Sequence, residues 1–387
     1  MNSKQFETAK MCLKVVTPIN IADGIVLGAK DYLYDSRRQK VYFLNLHQWH
    51  LFIYKHMLLE KYESYLANFR DKQSLLEWLR MQGYDIDDVR TVITSEAQAT
   101  VNLMDSERKK TLNDISRHIQ QPDGSLYVPG SSIKGVFRTA ILYSLLQKRQ
   151  DIKVKYWRQI QEKISSNYFK PYRDFNKLIS DLENELLHTL RLLDGNIRSN
   201  NAVCSAMRGL QVSDTYASRN MQTAILQKVD GGFDKFGKAS PKKLPIFREC
   251  MLPEAELFFD VKIEKAVMNT IGINSVDDLL KATHSFFAAV TDLLQQAFGK
   301  EYQEAFQGVA AGNMFLGGNT GFLSKTLLAM VAPDKDTAKN TIKVLLDKSF
   351  KTHKHLLRDK VIAPRTLKCT NYNGKLMLMG VAEVRKV

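Results

Sequence analysis

Between Tyr127 and Arg138 the chain reads Tyr127-Val128-Pro129-Gly130-Ser131-Ser132-Ile133-Lys134-Gly135-Val136-Phe137-Arg138. Hydroxyls, cations and glycines that suit an anion are gathered around one turn. The spacing predicts the end of a strand, a Pro-Gly turn, and a helix running through Thr139 to about Gln147. Ser131 or Ser132 is expected to cap that helix by accepting a bond from an unpaired backbone N–H. A helix N-terminus offers free N–H groups and partial positive charge, so it can hold a phosphate. Lys134 and Arg138, four apart, share a face, and Gly135 leaves room for close approach. Ile133, Val136, Phe137, Ala140, Ile141 and Leu145 form the apolar stripe. The expected chemistry is holding a phosphodiester backbone, not cutting one. A strand-to-helix turn with a solvated Lys/Arg face would have the same local features. Gly130 and Gly135 have the spacing of a nucleotide-triphosphate loop, but Val136-Phe137 stands where such a loop needs Lys-Ser/Thr.

A second glycine-rich segment, Gly317-Gly318-Asn319-Thr320-Gly321, precedes an expected helix carrying Lys325 and residues 327–331. Glycines permit positive φ and let a ligand approach backbone N–H groups; a tight turn is the plainer reading. The spacing does not fit a dinucleotide fingerprint. Residues 229–243, with Lys228 just before them, mix Lys235, Lys238, Lys242 and Lys243 with Phe233 and Phe236, which suits either RNA tracking or a solvated loop. Arg37 and Arg38 mark a hairpin tip. For catalysis the candidates are sparse. His47, His50 and His56 share one helical stretch, His353 and His355 flank Lys354, and Asp23 and Asp214 stand alone. No active site, metal site or cofactor is expected.

The elements that must position these residues alternate between strand and helix. Residues 9–19 read as a strand, and 30–34 with 40–44 as a hairpin around Asp35-Ser36-Arg37-Arg38. A helical period runs from His47 to Asn68 with Leu51, Tyr54, Leu58, Tyr62 and Tyr65 on one side. Residues 74–81 continue helically and stop near Gly83. Residues 112–119 and 126–128 read as a hairpin around Pro122-Asp123-Gly124. Residues 151–200 are charged and helical, broken at Pro171, with a linker at 196–199. Strands return at 208–213. Residues 246–251 and 257–263 read as a hairpin around Pro253-Glu254, with Leu257, Phe259, Val261 and Ile263 facing one way. Leu279, Thr283, Phe286, Phe287, Val290, Leu293 and Leu294 mark an amphipathic helix. Residues 366–370 and 376–384 flank Asn373-Gly374, a strong hairpin turn. The fold class is α+β.

At 387 residues the chain has room for two domains or one with a large insertion. Lys and Arg exceed Asp and Glu by 56 to 41, a net +15 that favours a polyanionic partner such as nucleic acid. No signal peptide, lipidation motif or apolar run near the roughly 18 residues of a spanning helix is evident, so no membrane association is expected. Cys12, Cys204, Cys250 and Cys369 are far apart, which argues against a zinc ribbon or disulfide framework and for a reduced, cytoplasmic protein.

The run Pro129-Gly130-Ser131-Ser132-Ile133-Lys134-Gly135, with Arg138 after it, closely resembles the glycine-rich signature of the RAMP superfamily of CRISPR–Cas systems. Residues 12–24, Gly209-Leu210-Gln211-Val212-Ser213-Asp214, residues 316–323 and residues 371–376 match further segments. Together they resemble the branch that sits at the crRNA 3′ end in type III-A (Csm) effector complexes. The resemblance implies a ferredoxin-like, RRM-like RAMP core, as two such units, with helical insertions and glycine-rich loops. Residues 1–150 would be an N-terminal unit, 151–205 a helical insertion, and 206–387 a C-terminal unit. It implies a non-catalytic subunit that binds single-stranded crRNA, caps the filament and aids 3′ maturation in antiviral defence. Its partners would be a neighbouring backbone RAMP subunit, other Csm subunits and trimming nucleases. Gly130, Ser131, Ser132, Lys134, Gly135 and Arg138 would hold one stretch of RNA, and Gly317, Gly318, Asn319, Thr320, Gly321 and Lys325 a second. Some relatives are metal-independent endoribonucleases that process crRNA, and a pure protein scaffold is a third reading. In target-cleaving RAMP subunits a loop Asp is catalytic; Asp23 stays unassigned.

Overall fold

The structure is a computed structural model that describes residues 5–68, 73–100, 112, 114–166, 168–191, 201–217 and 221–387. Two sheets organise it. The first has six strands, all antiparallel: β12 (Met314–Phe315), β15 (Val381–Lys386), β1 (Phe6–Val15), β11 (Glu256–Glu264) and β7 (Leu210–Val212) in order, with β8 (Tyr216–Ala217) also on β11. The alternation in β11 places Leu257, Phe259, Val261 and Ile263 in the core, while Phe258, Asp260 and Lys262 turn away from it. Over the apolar face pack helix α4 (Gly130–Lys148) and helix α7 (Val276–Phe298), through Ile133, Phe137 and Ile141 on one and Leu279, Phe286 and Val290 on the other. Each such fully buried side chain is worth about 2–5 kcal/mol against truncation to Ala.

The second sheet has nine strands. Its path is β2 (Ala22–Leu27), β6 (Ile115–His118), β10 (Lys242–Met251), β9 (Thr223–Gly231), β5 (Ile93–Thr100), β4 (Lys40–Leu44) and β3 (Tyr32–Asp35). Strand β13 (Leu367–Tyr372) pairs β9 and carries β14 (Lys375–Leu378). Helices α1 (Leu46–Lys55), α2 (Leu59–Ala67) and α3 (Leu75–Met81) form a lobe beside β3 and β4, with Trp49, Ile53, Tyr62, Tyr65 and Trp78 as its own core. Helices α5 (Gln150–Ser165) and α6 (Pro171–Leu187) are the expected charged helical pair, with Pro171 in the first turn of α6. They pack into the main core through Ile152, Tyr156 and Ile160, beside helix α8 (Lys335–Ser349). The proposed linker at 196–199 lies outside the described residues.

The α+β class is as expected, and so are the β3–β4 hairpin and the Asn373-Gly374 turn. Both turn residues have positive φ (49° and 76°), as a two-residue hairpin of this kind requires. Other expectations need correction. The helix expected over 47–68 is broken at His56-Met57-Leu58, where Met57 has φ 55°. Trp49 and Ile53 face inward from α1, and Leu51 and Tyr54 face solvent. Residues 246–251 and 257–263 do not pair: β10 and β11 belong to different sheets, and residues 252–255 carry the chain between them. Likewise β6 pairs with β2 and β10; across the Gly124 turn only a single bridge, Gln120 to Leu126, remains. The basic segment 229–243 is partly strand, closing the β9–β10 hairpin.

Candidate nucleic-acid interface

The first glycine motif opens α4 at Gly130, after Pro129, whose own side chain cannot cap the end. Ser131 and Ser132 lie within the first turn, which corrects their expected capping role. Asp214, in the loop after β7, accepts the Gly130 N–H at 2.7 Å, so the helix end faces the chain's own carboxylate. Glycine is required at 130 because a Cβ there would run into the carbonyls of Val212 and Ser213. Lys134 donates to the Leu210 carbonyl at 2.6 Å, and burial lowers its pKa. Arg138 is paired with Glu183 of α6. The motif's cations therefore hold α4 to β7 and α6. Ser131 and Gly135 remain at the surface, with open space beside Gly135.

The second motif is placed differently. Gly317, Asn319 and Gly321 all have positive φ, 89°, 62° and 93°. A Cβ at 317 would collide with the Asn20 carbonyl, which accepts the Gly318 N–H at 2.7 Å. The helix expected through 325–331 is instead two short pieces, Leu323–Lys325 and Leu328–Val331, separated by an extended Thr326. Asn20 is fully buried; its Nδ2 donates to the Glu249 carbonyl at 2.8 Å, and its Oδ1 accepts from Arg248 Nη1 at 3.0 Å. Arg248 Nε is buried and has no hydrogen-bond partner among the described residues.

Around this loop the second sheet collects cations. Leu226, Lys228 and Asp230 alternate onto one face of β9; Arg248 stands opposite Leu226, and Lys368 opposite Asp230. Asp230 lies 2.9 Å from Lys368 Nζ and 3.7 Å from Lys228 Nζ. Burial lowers the pKa of Lys228, helped by the charges of Lys368 and Arg248. Lys325 reaches solvent, yet protein crowding its ammonium and the Arg248 charge lower its pKa as well. Among the described residues neither Lys325 nor Arg248 has a carboxylate partner. Two of the four cations, Lys228 and Lys368, thus share one carboxylate, and the other two have none, beside a loop whose glycines let a ligand come close. Sequence reasoning named Lys325 and noted Lys228 in a basic stretch, but missed Arg248, Lys368 and Asn20. Their one sequence signal is the period-2 placement of charges in strands that meet only in three dimensions.

A buried chain of hydrogen bonds links the motifs. His118 Nδ1 accepts the Ile21 N–H at 3.1 Å, which leaves the proton on Nε2 to donate to the Tyr127 carbonyl at 3.2 Å. Burial pushes the His118 pKa down to about 4. Its backbone N–H donates to Glu249 at 3.0 Å, and burial raises the Glu249 pKa. Asp23 is tied to Arg117 at 2.5 Å. The histidine candidates are scattered: His47 and His50 are exposed on α1, and His56 bonds Tyr84 at 2.8 Å. His353 stacks on Phe350, and His355 is buried against Asp359 at 2.7 Å. In the β9–β10 loop Phe233 stacks inward on Phe298, whereas Phe236 is exposed beneath Lys235. Among the described residues no group of His, Cys, Asp or Glu could hold a metal ion, and no helix is long and apolar enough to cross a membrane.

A glycine loop meeting a basic sheet face within two sheets of this kind defines a class, and the chain belongs to the RAMP superfamily, whose model matches residues 12–321. The resemblance carried by the motifs is met. Its relatives include proteins described as CRISPR system Cms protein Csm5. That of Mycobacterium tuberculosis (strain CDC 1551 / Oshkosh) is 28% identical over 400 residues, covering 98% of this chain and 97% of its own. That of Enterococcus italicus is 23% identical, covering 88% and 85%. Among solved structures, a chain in a cryo-EM structure of a Csm–crRNA–target RNA ternary complex in a type III-A CRISPR-Cas system aligns with a TM-score of 0.67. It is 18% identical, covering 98% of this chain and 100% of that one. The crystal structure of T. onnurineus Csm5 aligns with a TM-score of 0.61 and 19% identity, covering 96% and 99%. These structures share its fold.

Proposed function

We propose that the chain is a non-catalytic crRNA-binding subunit of a type III-A CRISPR effector ribonucleoprotein, acting in the cytoplasm in antiviral defence. In this reading it caps the filament at the crRNA 3′ end and aids 3′ maturation. It contacts a neighbouring backbone RAMP subunit and other Csm subunits, and it offers trimming nucleases a partner. The relatives described as Csm5, and a fold shared with a chain of a Csm–crRNA–target RNA complex, support the assembly. One observation carries RNA binding: Lys228, Arg248, Lys325 and Lys368 gather beside the glycine loop, and the only carboxylate paired with any of them among the described residues, Asp230, is shared by Lys228 and Lys368.

Gly317, Gly318, Asn319, Thr320, Gly321 and Lys325 form the principal contact in this proposal. At the start of α4, Ser131, Ser132 and Gly135 would meet the backbone, while Gly130, Lys134 and Arg138 hold the helix in place. Binding is then electrostatic, with little sequence readout. Arg248→Glu combined with Lys325→Glu should weaken single-stranded RNA binding on the order of 100-fold, since each charge-assisted contact is worth about 1.5 kcal/mol. Fluorescence anisotropy reads the affinity, and circular dichroism checks that the variant is folded. Undiminished affinity in the folded double variant would contradict the proposal. The alternative, a crRNA-processing endoribonuclease, requires a fixed-position cut in divalent-free buffer that a histidine substitution abolishes.

A further inference from the structure

The positive charge at the second motif exceeds what one internal phosphodiester neutralises. Lys228, Arg248, Lys325 and Lys368 bring four charges, and Asp230, shared between Lys368 and Lys228, removes one. A phosphodiester carries a single negative charge. A terminal phosphomonoester carries about −1.5 to −2 at pH 7, with three strong acceptor oxygens.

Arg248 is the best-oriented of the four. Asn20 fixes one end of its guanidinium at 3.0 Å and is itself buried and anchored on the carbonyls of Glu249 and Ser116, so the fork is held before any ligand arrives. Its Nε, buried and unpartnered, leaves a donor whose desolvation nothing in the described protein offsets. Lys228 and Lys325 have their charged forms disfavoured by burial and by like charges, so both gain most from a doubly charged neighbour. The glycines keep the approach open. A Cβ at 318 would stand 3.1 Å from the Arg248 guanidinium, and one at 321 would stand 3.5 Å from Lys368 Cγ.

We propose that the cluster of Lys228, Arg248, Lys325 and Lys368 beside the Gly317–Gly321 loop binds a terminal phosphomonoester of an RNA strand in preference to an internal phosphodiester. The inference rests on the RNA-binding reading of this site and adds to it the group that is recognised. A 3′-phosphate and a 5′-phosphate share that chemistry.

The test uses the full chain and one RNA sequence made in three forms: hydroxyl at both ends, 3′-phosphate, and 5′-phosphate. Competition anisotropy is read at about pH 7.5 and about pH 5.5, on either side of the second phosphate ionisation. One phosphorylated form should bind at least about tenfold tighter than the hydroxyl form, which corresponds to about 1.4 kcal/mol. That advantage should shrink at the lower pH and disappear in Arg248→Gln. Lys325→Gln, at a surface position, gives the same test if the Arg248 variant fails to fold. Which phosphorylated form gains identifies the end that is held. Equal binding of all three forms would overturn the phosphomonoester inference while leaving RNA binding intact. Failure of every form to bind would overturn both.

Discussion

Asn20 joins, through one buried amide, the carbonyls of Glu249 and Ser116 and the guanidinium of Arg248. Beside it, His118 and Glu249, joined through the His118 N–H, are shifted in opposite senses. His118 has a native pKa near 4, below its ordinary 6.5. As pH falls from 6.5 toward 4, the unfolded chain takes up a proton that the native state refuses, and stability falls; above 6.5 the contribution is complete. Burial raises the Glu249 pKa, so the native state takes up a proton at higher pH than the unfolded one, and its contribution grows as pH falls through that raised value. The two partly cancel in wild type. Glu249→Gln, which can still accept the His118 N–H, removes the opposing contribution. Its stability should then fall by about 3 kcal/mol between pH 6.5 and 4, more steeply than wild type, in urea unfolding series. Identical pH dependence in both proteins would contradict this coupling.

The elements show where the motif residues act. Helix α4 starts where Gly130 meets β7, with Asp214 as the acceptor for its first N–H. Gly130→Ala should destabilise the protein by about 1–3 kcal/mol through overpacking against backbone, and Asp214→Ala by about 1 kcal/mol through loss of an N-terminal acceptor. Denaturant midpoints check both, and a neutral Gly130→Ala would contradict the close packing. Local elements were legible in the sequence because their signals are local: the Asn373-Gly374 turn, the alternation of Leu257 to Ile263, and the apolar stripe of α7. Partner choice was not. Residues 246–251 and 257–263 look like a hairpin because they adjoin, yet β10 takes its partners from residues 115–118 and 223–231. Strands β2 and β5 are of mixed polarity, and β2 holds Asp23-Gly24, which reads as a turn, so periodicity missed them. The Lys134/Arg138 pair looked free to hold a phosphate, because no spacing reveals that Leu210 and Glu183 lie across from it.

Across the whole molecule, each sheet takes strands from both ends of the chain, and the Asn20–Gly318 contact pins the segment between β1 and β2 to the late glycine loop. Long-range pairing of this kind brings Lys228, Arg248, Lys325 and Lys368 together from separate stretches of sequence. The net +15 adds a long-range attraction for polyanions, and in the proposed function the cluster is where one docks. The central claim, electrostatic retention of RNA without cleavage, is tested most directly by titrating end-labelled single-stranded crRNA with the purified protein across a salt series, reading affinity and RNA integrity together. The cluster's surplus charge predicts a log–log slope of about −2 or steeper, at roughly 0.7 per phosphate contact, with the RNA left whole. Salt-independent binding, or a fixed-position cut in divalent-free buffer, would contradict the account.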